Sequence, residues 1–163
     1  MSSFRQRYIP PPNPELAFPN GPRTLCLDVG SRNISAGFAG EDAPRIRAPT
    51  VLVEQGENTL IGPEVMNNER SDHIPFSSIS WPIQRGEIVD WDVMEKLWSY
   101  IWNHPKLETA SDAQPILISE VAGNPKENRV QLAEILFEKY SVPELYFGLQ
   151  PVLSMYSTGK TSG

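Results

Sequence analysis

With 163 residues and a formal net charge of −6, the chain fits one domain of ordinary size that can bury a core. The acidic balance argues against nucleic acid as the main partner, because phosphate backbones call for a basic surface. A single cysteine excludes an internal disulfide framework. No apolar run approaches the ~20 residues of a membrane span, so a soluble intracellular protein is expected.

Residues 1–22 carry Pro10, Pro11, Pro12, Pro14, Pro19 and Pro22, which excludes helix and central strand. An extended, polyproline-like tail is expected, with Tyr8, Leu16 and Phe18 as anchors for a partner's groove. A disordered tail is the alternative. Next comes Leu25-Cys26-Leu27-Asp28, a Val29-Gly30-Ser31 turn, and a second extended run from Ile34 to Phe38. Such a turn lets backbone approach a ligand, and its successive N–H groups form an anion-binding concavity to which Ser31 adds a hydroxyl. Asp28, at the strand end, is placed to hold a hydrated metal ion beside a phosphate. An ordinary hairpin with an exposed aspartate is the alternative.

Gly40 to Arg45 reads as a turn, Ala48 to Val53 as a third strand, and Thr59 to Gly62 as a further short extended piece. From Pro63 to Ser80 the pattern is mostly loop, with a helical turn near Asn67–Arg70 and a lone His73 expected to be solvated. After the turn Trp81–Gly86, the spacing of Trp91, Met94, Leu97, Trp98, Ile101 and Trp102 predicts a helix capped by Asp90, its aromatic stripe turned to the core. Pro115–Glu120 predicts a buried strand ending in a carboxylate. Asn124, Pro125 and Glu127 announce a helix through a capping box, with Leu132, Ile135, Leu136 and Tyr140 on its inner stripe. Leu145–Gly148 predicts a fifth core strand, and Gln150 to Leu153 begins a last helix. The layout is α/β with a mixed sheet. Ser157-Thr158-Gly159-Lys160-Thr161 ends like a phosphate-binding P-loop, but Ser154 stands where its first glycine belongs.

The chain resembles the N-terminal half of actin and the actin-related proteins from about Thr24 to Gly163. The segments that carry the likeness are LDVGS with AGFAGEDAPR (Leu27–Ser31, Ala36–Arg45), WPIQRG (Trp81–Gly86) and WDVMEKLW (Trp91–Trp98). NPKENR (Asn124–Arg129) and LQPVLSMYSTGKTSG (Leu149–Gly163) follow in order. The resemblance implies an RNase H-like, actin-type ATPase sheet of five strands with flanking helices for residues 23–163. It also implies a reduced subdomain 2 at about 50–80. Asp28 would sit beside the nucleotide's divalent cation through water, Gly30, Ser31 and Arg32 would form the first phosphate loop, and Gln150 would orient the attacking water. ATP or ADP with magnesium is the implied cofactor, or none in this form.

Departures from the family pattern point away from turnover. Arg32 replaces a small phosphate-loop residue, and Ser35 stands where the family carries a phosphate-contacting lysine. Arg85 replaces a histidine near the phosphates, and Pro151 stiffens the start of the hinge helix. The connection between Val53 and Leu60 is much shorter than the loop that grips the next subunit of a filament. The sequence ends at Gly163, where the family's second phosphate loop would begin, so the adenine pocket and the helices covering one sheet face are not expected here. The leading expectation is a non-polymerising actin-related subunit, a docking scaffold in a cytoskeletal or chromatin-associated complex. Its partners would be other proteins, actin or actin-related proteins among them, and it would form no filament of its own. The cytoplasm and cytoskeleton come before the nucleus as its place. An ATP-binding half completed by another chain, or a truncated product of a full-length relative, are the alternatives.

Overall fold

Apolar alternation and two strong helical stripes account for most of the architecture. The structure, a computed structural model, describes residues 23–56, 58–69 and 74–160. Tyr8, Leu16, Phe18 and His73 lie outside them. Strands β1 (Leu25–Val29), β2 (Asn33–Phe38) and β3 (Ile46–Pro49) form an antiparallel meander. β4 (Leu52–Gln55) and β5 (Asn58–Ile61) pair as a separate hairpin, followed by α1 (Pro63–Glu69). A second small hairpin, β6 (Ile83–Gln84) and β7 (Glu87–Ile88), leads into α2 (Trp91–Trp102). Then come β8 (Ile116–Glu120), α3 (Lys126–Glu134) with a wide π-type turn over Ile135–Lys139, β9 (Leu145–Leu149) and α4 (Gln150–Ser157).

The fold is α/β, with a five-stranded mixed sheet in the order β3-β2-β1-β8-β9. β8 runs parallel to both β1 and β9. Because side chains alternate across a strand, Leu25, Leu27 and Val29 bury on one face while Cys26 and Asp28 take the other. The buried face packs on α2 and α3 through Met94, Leu97, Trp98, Ile101, Leu132 and Leu136. Asp90 Oδ1 accepts from the Val93 N–H at 3.0 Å, so α2 starts at the expected cap. A second, smaller core of Val51, Val53, Val65, Ile74 and Ile79 serves the β4–β5–α1 unit. Among the described residues, no helix is long and apolar enough to cross a membrane.

Four local expectations are corrected. The expected strand Ala48–Val53 is broken at Thr50, because Leu52 leaves the main sheet to pair with Ile61 and Ser80. Pro63–Glu69 is helix rather than loop. β9 is an edge strand with Tyr146 66% exposed, so it is not a core strand. No capping box forms at α3: Asn124 Nδ2 donates to Glu120 Oε2 at 3.2 Å, and no side chain caps the helix. The buried Glu120 carboxylate recruits both Asn124 and Arg129, and that demand outweighs the local cap.

Candidate functional site

The strand register builds the site on the second face of the sheet. Cys26 lies opposite Gly37 and beside Leu117, which itself neighbours Tyr146. In the next row toward the strand ends, Ser35 lies opposite Asp28, and Ser119 neighbours Gly148. The parallel strands β1, β8 and β9 thus deliver Asp28, Ser119 and, directly after β9, Gln150 at their carboxyl ends. Open α/β sheets bind ligands at such ends.

One serine joins these groups. Ser119 Oγ donates to Asp28 Oδ1 at 2.6 Å and accepts from the Val29 N–H at 3.1 Å. It also accepts from Gln150 Nε2 at 3.2 Å. Sequence reasoning places Asp28 and Gln150 in the site and misses Ser119. Its only sequence signal is a lone hydroxyl at the end of the apolar run Ile116-Leu117-Ile118.

The β1–β2 turn is fastened from three sides. The Gly30 N–H donates to the Asn33 carbonyl at 3.1 Å, and a Cβ on Gly30 would lie 2.9 Å from that oxygen, which requires glycine here. Thr50, fully buried, donates its hydroxyl to the Gly30 carbonyl at 2.8 Å and its N–H to the Arg32 carbonyl at 3.0 Å. Ser31 Oγ accepts from the Gly86 N–H at 3.0 Å. Arg85 and Gly86 both carry positive φ (54° and 86°), the geometry of a tight primed turn between β6 and β7. Any Cβ on Gly86 would collide with Val121. Among the described residues, the Ser31 and Arg32 N–H groups donate to nothing in the chain. Two successive free amides at a turn tip are an anion-binding arrangement.

A cleft of about 820 Å³ opens beside these groups, lined by Asp28, Gly30, Ser35, Ser119 and Gln150 and by Phe38, Leu117 and Leu153. Its charged lining is acidic throughout: Asp28, Glu41 and Asp42. Arg45 and Arg23 neutralise Glu41 and stack on Phe38 at 4.7 and 4.5 Å. The Arg45 hydrogen bond holds the Glu41 carboxyl below its usual range, helped by the Phe38 N–H. Ser35 brings no charge to the floor. Burial pushes the Cys26 thiol up, which makes it a poor nucleophile at neutral pH. Lys160 is exposed and does not line the cleft.

The described residues contain no group of three or more metal-ligating side chains. Of the cleft groups, the Asp28 carboxylate could hold a hydrated divalent ion through water. An aspartate, a serine and a carboxamide thus meet at the carboxyl ends of the parallel strands of a five-stranded mixed sheet. A family model described as Actin matches residues 21–163. The chain belongs to the actin family. Its α/β mixed sheet is the actin-type fold, as the segments Leu27–Ser31, Ala36–Arg45 and Trp81–Gly86 imply. The actin-type sheet also explains why the two faces differ: one is closed by α2 and α3, and the other carries the cleft.

Proposed function

We propose that this actin-family chain is a docking subunit of a larger protein assembly, a scaffold that does not polymerise by itself. The observation that carries the reading is the surface around β9 and α4. Tyr146 is 66% exposed and Tyr156 56% exposed, with Leu149 and Val152 beside them in sequence, and α4 has no buried residue. Val152 and Tyr156, four residues apart, share one side of α4. Tyr146 stands on the sheet face that α4 covers, where Gly148 meets Leu153. Exposed large apolar side chains such as Tyr146, Val152 and Tyr156 mark a protein contact, and tyrosines are enriched at the centre of such contacts. The acidic cleft supports the same reading, since its lining offers no cation to a triphosphate. The β4–β5 connection is a tight hairpin, which leaves little loop with which to grip a neighbouring copy. The partners fitted to this surface are other proteins, actin or actin-related chains among them, in a cytoskeletal or chromatin-associated setting. The test is Tyr146→Asp with Tyr156→Asp in the full chain, followed by its native assembly on a gradient. Release of the variant from the assembly with unchanged thermal unfolding is expected. Retention in the assembly would overturn the reading.

A second reading, binding of Mg-ATP or Mg-ADP, is favoured by one specific observation: the free Ser31 and Arg32 amides in the turn that follows the strand of Asp28. When bound, magnesium would supply the positive charge that the cleft lining lacks. Asp28 would hold the ion's water shell, the turn amides would hold phosphate oxygens, and Gln150 would face the reacting end. Calorimetry with Mg-ATP on the native assembly, wild type beside Asp28→Ala, separates the readings. Under the docking proposal the two assemblies bind alike, and saturable micromolar binding that is lost in Asp28→Ala supports the second reading.

A further inference from the structure

The proton bookkeeping around Ser119 has a consequence for Gln150. A carboxylate is acceptor-only, so the short contact between Asp28 Oδ1 and Ser119 Oγ takes the one proton the serine has. The serine oxygen then has only lone pairs left, and the Val29 N–H occupies one of them. Gln150, the remaining partner, can meet Ser119 only with its NH₂ end. Its Oε1 is therefore the end turned away from Ser119, with no partner in the chain among the described residues. This orientation follows from donor and acceptor capacity, and it does not depend on telling amide nitrogen from oxygen.

The geometry points to Ser119 as a positioning residue: its hydroxyl, oriented by Asp28, locks the Gln150 carboxamide so that Oε1, an acceptor, is the group presented to the cleft. Nothing in the chain except Ser119 bonds the Gln150 side chain among the described residues, and Ser119 is itself buried to 7% exposure on a parallel strand. A carboxamide fixed in this sense can accept a hydrogen bond from a water or hydroxyl ligand. Flipped, it could only donate. The orientation stands on the hydrogen bonds, whereas its use for a water near phosphate rests on the Mg-nucleotide reading.

The test uses full chain labelled with ¹⁵N on glutamine side chains, the Gln150 signals being assigned by their loss in Gln150→Glu. In the wild type and in Ser119→Thr, one Gln150 NH₂ proton is expected to exchange slowly with solvent. In Ser119→Ala the exchange should quicken about five- to tenfold, the worth of one hydrogen bond. Equal exchange in wild type and Ser119→Ala overturns the proposal, as does a failure of Ser119→Thr to keep the slow proton. Should Ser119→Ala not fold, Ser119→Cys serves, because a thiol accepts weakly and should lose the protection in the same way. Titration with Mg-ADP then separates the two claims. No response of the wild-type Gln150 signals removes the nucleotide reading and leaves the exchange result to decide the role of Ser119.

Discussion

Glu41 shows how a motif that reads as a surface turn becomes a fixed joint. Its carboxylate takes the Arg45 fork at 2.6 and 3.0 Å and the Arg23 guanidinium at 3.2 Å, while both arginines lie over the Phe38 ring. Its folded pKa is lowered, chiefly by the Arg45 hydrogen bond. The sign follows: the contribution is fully present above the ordinary carboxylate range and is lost as pH falls through the depressed folded value. Glu41→Gln is expected to lower the urea midpoint at neutral pH and to flatten the acid limb of the midpoint-against-pH curve. Parallel wild-type and variant curves would contradict this. The residue scale is also where the sequence was least legible at the site. Asp28 and Gln150 stand out by their motifs, but Ser119 acts through contacts 91 and 31 positions away, which no local pattern encodes.

At the scale of elements, legibility followed burial. The α2 stripe Met94, Leu97, Trp98 and Ile101 is fully buried, so its period could be read directly. Asp90→Ala should remove the cap bond to Val93 and cost about 1 kcal/mol in chemical denaturation. An unchanged midpoint would count against that role. Elements whose fate is decided by distant partners were read less well. β3 and β4 look continuous, yet Thr50 gives both of its donors to the β1–β2 turn, and Leu52 follows Ser80 out of the main sheet. β9 has the apolar composition of a central strand, and only the sheet order reveals it as an edge. The β6–β7 turn joins the same network, since Gly86 holds Ser31 on one side and fills against Val121 on the other. Gly86→Ala is strained at φ 86° and overpacked, so a loss of roughly 1–3 kcal/mol is expected, with faster hydrogen exchange at the bonded Gly30 and Thr50 amides. Exchange at the turn that matches the wild type would show that the two turns are not coupled.

For the whole molecule, the two faces of one sheet divide the work. The inner face is closed by α2 and α3 and supplies the main core. The outer face carries the cleft, and around β9 and α4 it shows tyrosine and aliphatic side chains to its surroundings. A chain built this way is expected to sediment without ordered filaments under polymerising salt, and filaments of this chain alone in negative stain would refute that. Docking through the β9–α4 side is tested by single-molecule mass determination of the native, tagged full chain beside the Tyr146→Asp, Tyr156→Asp variant. The wild type is expected to sit in a heteromeric particle of fixed mass, and the variant to fall to the mass of one copy while still unfolding cooperatively. A wild type found as a single copy, or a variant that keeps the particle's mass, would contradict it.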